Sequence, residues 1–122
     1  MKLRIKSSAI RYRLTKTDVE ILSKEGVIKE KVNFGDDELV YVLQTTMKDQ
    51  LSADFKNNII TVYMPEAMLK ELADTDKVGF ESSDSALHIL IEKDFTCLDN
   101  VDEDQSDNYP NPLALKVNHE QD

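Results

Sequence analysis

Residues 2–6 alternate cleanly, with Leu3 and Ile5 on one side of the chain and Lys2, Arg4 and Lys6 on the other. Residues 10–14 alternate as well, so the pattern predicts two strands flanking a tight Ser7-Ser8 turn. In a two-residue hairpin Ile5 opposes Ile10 and Leu3 opposes Tyr12, a coherent core face. The same register sets Arg4 against Arg11 and Lys2 against Arg13, and like charges directly opposite destabilise a sheet. Thr15 with Asp18 three positions on reads as a helix start. Val19, Leu22 and the neighbouring Ile21 form its apolar stripe, and Gly26 supplies a left-handed stop. A strand over residues 27–34 and a Gly35-Asp36-Asp37 turn follow. Leu39, Val40, Tyr41, Val42 and Leu43 are then apolar without a break, which predicts a central strand buried on both faces.

The plan recurs fifty residues later. Residues 51–56 and 59–64 flank Asn57-Asn58, a strong hairpin signal because asparagine tolerates positive φ. Pro65 suits a first helical position, Met68, Leu69 and Leu72 make the stripe, and Asp74-Thr75-Asp76 ends the helix. Strands over residues 78–81 and 86–95 complete it. Ile10 falls on Ile60, Val19 on Leu69, Leu22 on Leu72 and Ile28 on Val78, and after a two-residue loop shortening residues 38–43 fall on 86–91. Such register suggests a decayed internal duplication, with chance similarity of two amphipathic segments as the alternative. The expected fold is α+β: one domain over residues 1–98, built of ββαββ units at 1–48 and 51–96. Eight mainly antiparallel strands would form a barrel or curved sheet with two helices. A ferredoxin-like arrangement of fewer strands is the alternative.

Composition narrows the function. The chain has 122 residues, 40% apolar and 32% charged, with a formal charge of −9. That describes one soluble domain, and no apolar run reaches the length of a membrane span. A lone cysteine, Cys97, and the lack of a signal-peptide core favour a reducing, cytoplasmic setting. Beyond residue 98 seven acids stand against Lys116 alone, whereas residues 1–16 carry six cations and no acid. The tail is therefore expected to pack on the domain as an acidic segment, residues 99–122.

Catalytic signatures are weak. His88 alternates within a strand, His119 stands in a polar tail, and Cys97 lies beside carboxylates that disfavour a thiolate. Asp102, Asp104 and Asp107 lack the glycine and closing glutamate of a calcium loop, and no cofactor is implied. The feature with a physical demand behind it is the basic hairpin face of Arg4, Lys6, Arg11 and Arg13. Internal acids (Asp54, Glu92, Asp94 or the tail) can neutralise it. A phosphorylated small molecule or polyphosphate, or a protein partner, can do the same. Nucleic acid is disfavoured by the net charge and by the absence of stacking aromatics among the arginines.

Lys2-Leu3-Arg4-Ile5-Lys6, Ile10-Arg11-Tyr12-Arg13-Leu14-Thr15, Glu92-Lys93-Asp94-Phe95-Thr96-Cys97-Leu98 and Tyr109-Pro110-Asn111-Pro112 carry a further signal. With these the chain resembles a family of small bacterial proteins of unknown function over nearly its whole length. The resemblance implies a bacterial, cytoplasmic protein and transfers no activity, substrate or cofactor. The expected role is a non-enzymatic binding or assembly module, the alternative an enzyme or sensor for a phosphorylated anion.

Overall fold

The computed structural model describes residues 1–83, 86–96 and 105–112. Its elements run β1 (Lys2–Lys6), β2 (Ala9–Leu14), α1 (Lys16–Glu25), β3 (Val27–Asn33), β4 (Glu38–Thr46), β5 (Ser52–Lys56), β6 (Ile59–Pro65), α2 (Glu66–Asp74), β7 (Gly79–Ser82) and β8 (His88–Lys93). The α+β class and the two helices agree with the sequence. The arrangement corrects the barrel or single curved sheet. Two separate four-stranded sheets form, ordered β1-β2-β8-β7 and β3-β4-β6-β5. Hairpin partners are antiparallel, but the central pairs, β2 with β8 and β4 with β6, run parallel. The helix after each first hairpin carries the chain across to the other sheet. Two hairpins of one half therefore never share a sheet, and each must pair with a hairpin from the other half.

The two sheets share one register. Tyr12 faces Ile91 in the first as Val62 faces Leu43 in the second. The His88 amide donates to the Ser8 carbonyl at 2.8 Å, and the Val40 amide to the Asn58 carbonyl at 3.0 Å. Asn57 and Asn58 both have positive φ, 52° and 64°, the requirement of a type I′ turn. The offset changes beyond the helices. Ile28 pairs with Leu43 but Phe80 with Ile91, so Phe80, rather than the expected Val78, stands in the place of Ile28. The α2–β7 link is longer than its counterpart and the β7–β8 hairpin shorter.

Alternation places Ile10, Tyr12, Leu14, Ile89 and Ile91 on the inner face of the first sheet. Leu43, Val62 and Met64 answer from the second, with Val19, Leu22, Leu69 and Leu72 from the helices. Burying each such side chain contributes about 1.5–3 kcal/mol. Tyr12 brings a hydroxyl into this core and donates it to the Val42 carbonyl at 3.0 Å, across to the second sheet. Burial pushes that phenol well above its ordinary range. Strand β4 is central, and Val42 and Leu43 are buried, but Leu39, Val40 and Tyr41 are half-buried. The expectation of burial on both faces is corrected to that extent: Leu39 and Tyr41 alternate with Leu43 on the inner face and Val40 with buried Val42 on the other, so burial fades on both faces toward Glu38.

Helix α1 starts on a complete capping box. The Thr15 hydroxyl accepts the Asp18 amide at 3.2 Å, and the Asp18 carboxylate accepts the Thr15 amide at 2.9 Å. Gly26 ends it at φ 77°, its N–H bonded to the Leu22 carbonyl. Pro65 stands at the N-cap of α2 as the last residue of β6, one place before the expected position, and offers no side-chain cap.

Residues 105–112 form a strap across the end of the first sheet. The chain leaves the ladder at Lys93, short of the expected Phe95, because the following backbone pairs with the strap instead. The Tyr109 amide donates to Asp94 at 2.8 Å, the Thr96 amide to Tyr109 at 2.7 Å, and the two aromatic rings of Phe95 and Tyr109 meet edge to face. Asp107 sits at the first turn of α1, accepting from the Thr17 hydroxyl at 2.9 Å and from its amide, while the Lys16 amide donates to the Asp107 carbonyl. Cys97, Asp99, Asp102, Glu103, Asp104, His119 and the apolar Leu113 and Leu115 lie outside the described residues.

Hydrogen bonds from Thr15 and then Thr17 hold the Asp107 carboxyl below its ordinary value of 3.8. As pH falls, the unfolded chain takes up this proton first. The Asp107 contribution is thus complete above 3.8 and declines as pH drops through the lower folded value. Asp107→Asn should flatten that acid limb of a stability–pH curve. An unchanged limb would assign it to other carboxylates.

Candidate functional site

Strand alternation turns Lys2, Arg4 and Lys6 of β1 and Arg11 and Arg13 of β2 to the outer face of the first sheet. The register sets Arg4 against Arg11 and Lys2 against Arg13, so the like-charge pairs are real neighbours. Parallel pairing with β8 continues these rows. Arg11 adjoins Leu90, and Arg13 adjoins Glu92. Further along, Glu81 of β7 faces Leu90, and its carboxylate accepts from His88 Nε2 at 3.0 Å.

Acids relieve part of the face. Arg11 Nε lies 2.8 Å from Glu92 Oε1, and Lys2 Nζ lies 3.0 Å from Asp94 Oδ2. The first pair is about one quarter exposed and is worth about 0–1 kcal/mol. Asp94 is 4% exposed, and its Oδ2 is out of line for a hydrogen bond although the ammonium is close. Beside it Lys93 is also buried, with Nζ donating to the Thr75 carbonyl at 2.9 Å and lying 4.9 Å from the Tyr109 ring centre.

Arg4, Lys6 and Arg13 are different. Among the described residues no carboxylate lies within salt-bridge distance of any of the three. Arg4, Lys6 and Arg11 wall a hollow of about 190 Å³ floored by Ala9 and Leu90. A second hollow of about 280 Å³ lies toward the strap, lined by Lys2, Arg13, Glu92, Asp94 and Asn108 among others. The first hollow exists because Ala9 is small. Its walls are two guanidinium groups and an ammonium, a setting for attracting an anion.

The matching positions of the second sheet carry no such cluster. Register places Asp54 where the first sheet has Arg4, Thr61 where it has Arg11, and Tyr63 where it has Arg13. There the Tyr63 hydroxyl donates to Asp54 at 3.1 Å, and that bond raises the phenol's pKa. The same backbone thus holds a neutral or acidic face on one side and a basic face on the other.

A second polar cluster was not foreseen from the residues. The Met1 amino group lies 2.9 Å from Asp18 Oδ2 and 3.5 Å from Glu30 Oε1, and the Tyr41 hydroxyl donates to the Met1 carbonyl at 3.2 Å. Asp18 carried only a capping signal, and nothing in local spacing joins it to Glu30 or Tyr41. Among the described residues no group of three or more His, Cys, Asp or Glu side chains is placed to hold a metal ion. Among the described residues no helix is long and apolar enough to cross a membrane.

The model of a family of unknown function (DUF7009) matches residues 1–113. No curated protein and no solved structure matches the chain.

Proposed function

Since the chain belongs to this family of unknown function, we propose from its geometry that it is a non-enzymatic binding module whose basic sheet face receives an anionic group. The observation that carries this is the hollow between Arg4, Lys6 and Arg11, where Arg4 and Lys6 have no carboxylate partner among the described residues. Arg11 is oriented by Glu92 through Nε, which leaves its terminal nitrogens to the hollow. The site residues are then Arg4, Lys6, Arg11 and Arg13. A bacterial cytoplasmic setting belongs to the same proposal and rests on the resemblance. The shared register of the two sheets supports an origin by duplication of a ββαββ unit, with the basic cluster specialised in one copy.

Thermal melting with sulfate, pyrophosphate, polyphosphate and poly-glutamate tests the reading. An anion that binds only the folded state raises the melting temperature as its concentration rises. Sulfate also stabilises proteins by exclusion, so the decisive comparison is Arg4→Glu/Lys6→Glu. The wild type should show a shift that this variant loses. Equal shifts in both proteins, or none with any of the four anions, would overturn the proposal.

A further inference from the structure

Among the described residues, strand β1 is the outermost strand of the first sheet and pairs with β2 alone. On β2, the Ser8 and Leu14 carbonyls accept from His88 and Asp94. Even-numbered residues of β2 therefore bond toward β8, and Ala9, Arg11 and Arg13 bond toward β1. Their partners Lys6, Arg4 and Lys2 spend their backbone groups on that ladder. Leu3 and Ile5 consequently direct their N–H and C=O outward, to an open edge. No backbone or side-chain hydrogen bond reaches residues 4–6 from outside the hairpin among the described residues.

Each face of this edge asks for a different neighbour. On the outer face Lys2, Arg4 and Lys6 are exposed and recur about every 7 Å, the two-residue repeat of a strand. On the inner face Ile5 is 59% exposed although its partner Ile10 is buried. A further strand added beside β1 would place one set of side chains over the cations and the other against Ile5 and Leu3. Acidic residues satisfy the first set and apolar residues the second.

We infer that the partner of the basic face is an extended peptide alternating acidic and apolar residues, which adds as a fifth strand to β1 of the first sheet. This rests on the proposed function and names the ligand of that same face. An added antiparallel strand bonds to Leu3 and Ile5 and sets an acid directly opposite Arg4, at the close spacing of a non-hydrogen-bonded pair. A second copy of this chain is the wrong occupant. Antiparallel self-pairing of β1 about Arg4 would oppose Arg4 to Arg4 and Lys2 to Lys6. Lysine on an edge strand ordinarily guards against such pairing, and here the guard selects for opposite charge.

The test uses the full chain labelled for amide NMR, a short peptide alternating glutamate and valine, and the same peptide N-methylated at its edge-bonding positions. The plain peptide should shift and protect the Leu3 and Ile5 amides, and Arg4→Glu should weaken it by about tenfold or more. N-methylation should weaken it similarly, by removing hydrogen bonds without changing charge. If both peptides bind equally and Arg4→Glu weakens both, the basic face stands and strand addition is overturned. If Arg4→Glu leaves binding unchanged, both readings fail. If the plain peptide does not bind while polyphosphate still raises the melting temperature, the peptide inference alone is overturned.

Discussion

Gly79→Val is expected to unfold most of the protein, lowering stability by about 3–5 kcal/mol, the range reserved for core and backbone conflicts. Gly79 opens β7 opposite Glu92, and a Cβ there would lie 2.4 Å from the Ile91 carbonyl oxygen and 2.9 Å from the Glu92 Cα. Both are backbone atoms of a strand paired on its other side, so neither can yield. Strand β7 would have to leave the sheet and take Phe80 with it, uncovering Ile91. Urea unfolding checks this against Gly35→Ala. Gly35 has φ 97° but open space around it, so alanine there should cost only about 1 kcal/mol of backbone strain. Matching urea midpoints for the two variants would show that β7 tolerates displacement.

Tyr41→Asp should be as severe for another reason. The tyrosine ring packs 6.1 Å from that of Tyr12, and its hydroxyl holds the Met1 carbonyl. Burial, then the Glu30 and Asp18 carboxylates, already raise its pKa, which marks the place as hostile to negative charge. An aspartate would bring a charge beside these two carboxylates and strip away an aromatic that packs against the core, a loss of about 3–5 kcal/mol. Tyr41→Phe is the control and should cost about 0.5–1.5 kcal/mol, the worth of one hydrogen bond. Circular dichroism melting separates the two. A Tyr41→Asp protein melting like the Phe variant would place this side chain in water.

Local features were legible where a local cause produces them. The Ser7-Ser8 and Asn57-Asn58 turns, the Thr15 cap, the Gly26 stop and the unbroken apolar run at 39–43 each rest on neighbours within a few residues. The parallel pairing of β2 with β8 was not legible. It depends on which of two sheets a hairpin joins after a helix, and alternation has the same period in a parallel or an antiparallel ladder. The register shift from Val78 to Phe80 has a similar source, since loop lengths trade against each other without changing the apolar pattern. At the candidate site the like-charge opposition of Arg4 and Arg11 followed from the hairpin register alone. Relief of Arg11 by Glu92 required β8 beside β2, as did the Lys2 contact with buried Asp94. Pairing of Phe95 with Tyr109 could not be read from an acidic stretch between them.

The division of each half between two sheets bears on how the chain comes into being. Synthesis proceeds from the amino end, and β1 and β2 emerge long before β8, the strand that completes their sheet. Until residue 93 is made, the first hairpin has one neighbour too few and its apolar face stays wet. Two-stranded hairpins are marginal alone in water. Folding of the first sheet must therefore wait for the last strand, and the contact that closes it spans most of the polypeptide, the kind that makes folding slow. A nascent chain halted after β6 would hold the β3–β4 and β5–β6 hairpins of the second sheet complete and the β1–β2 hairpin unmatched, open to whatever strand it met first.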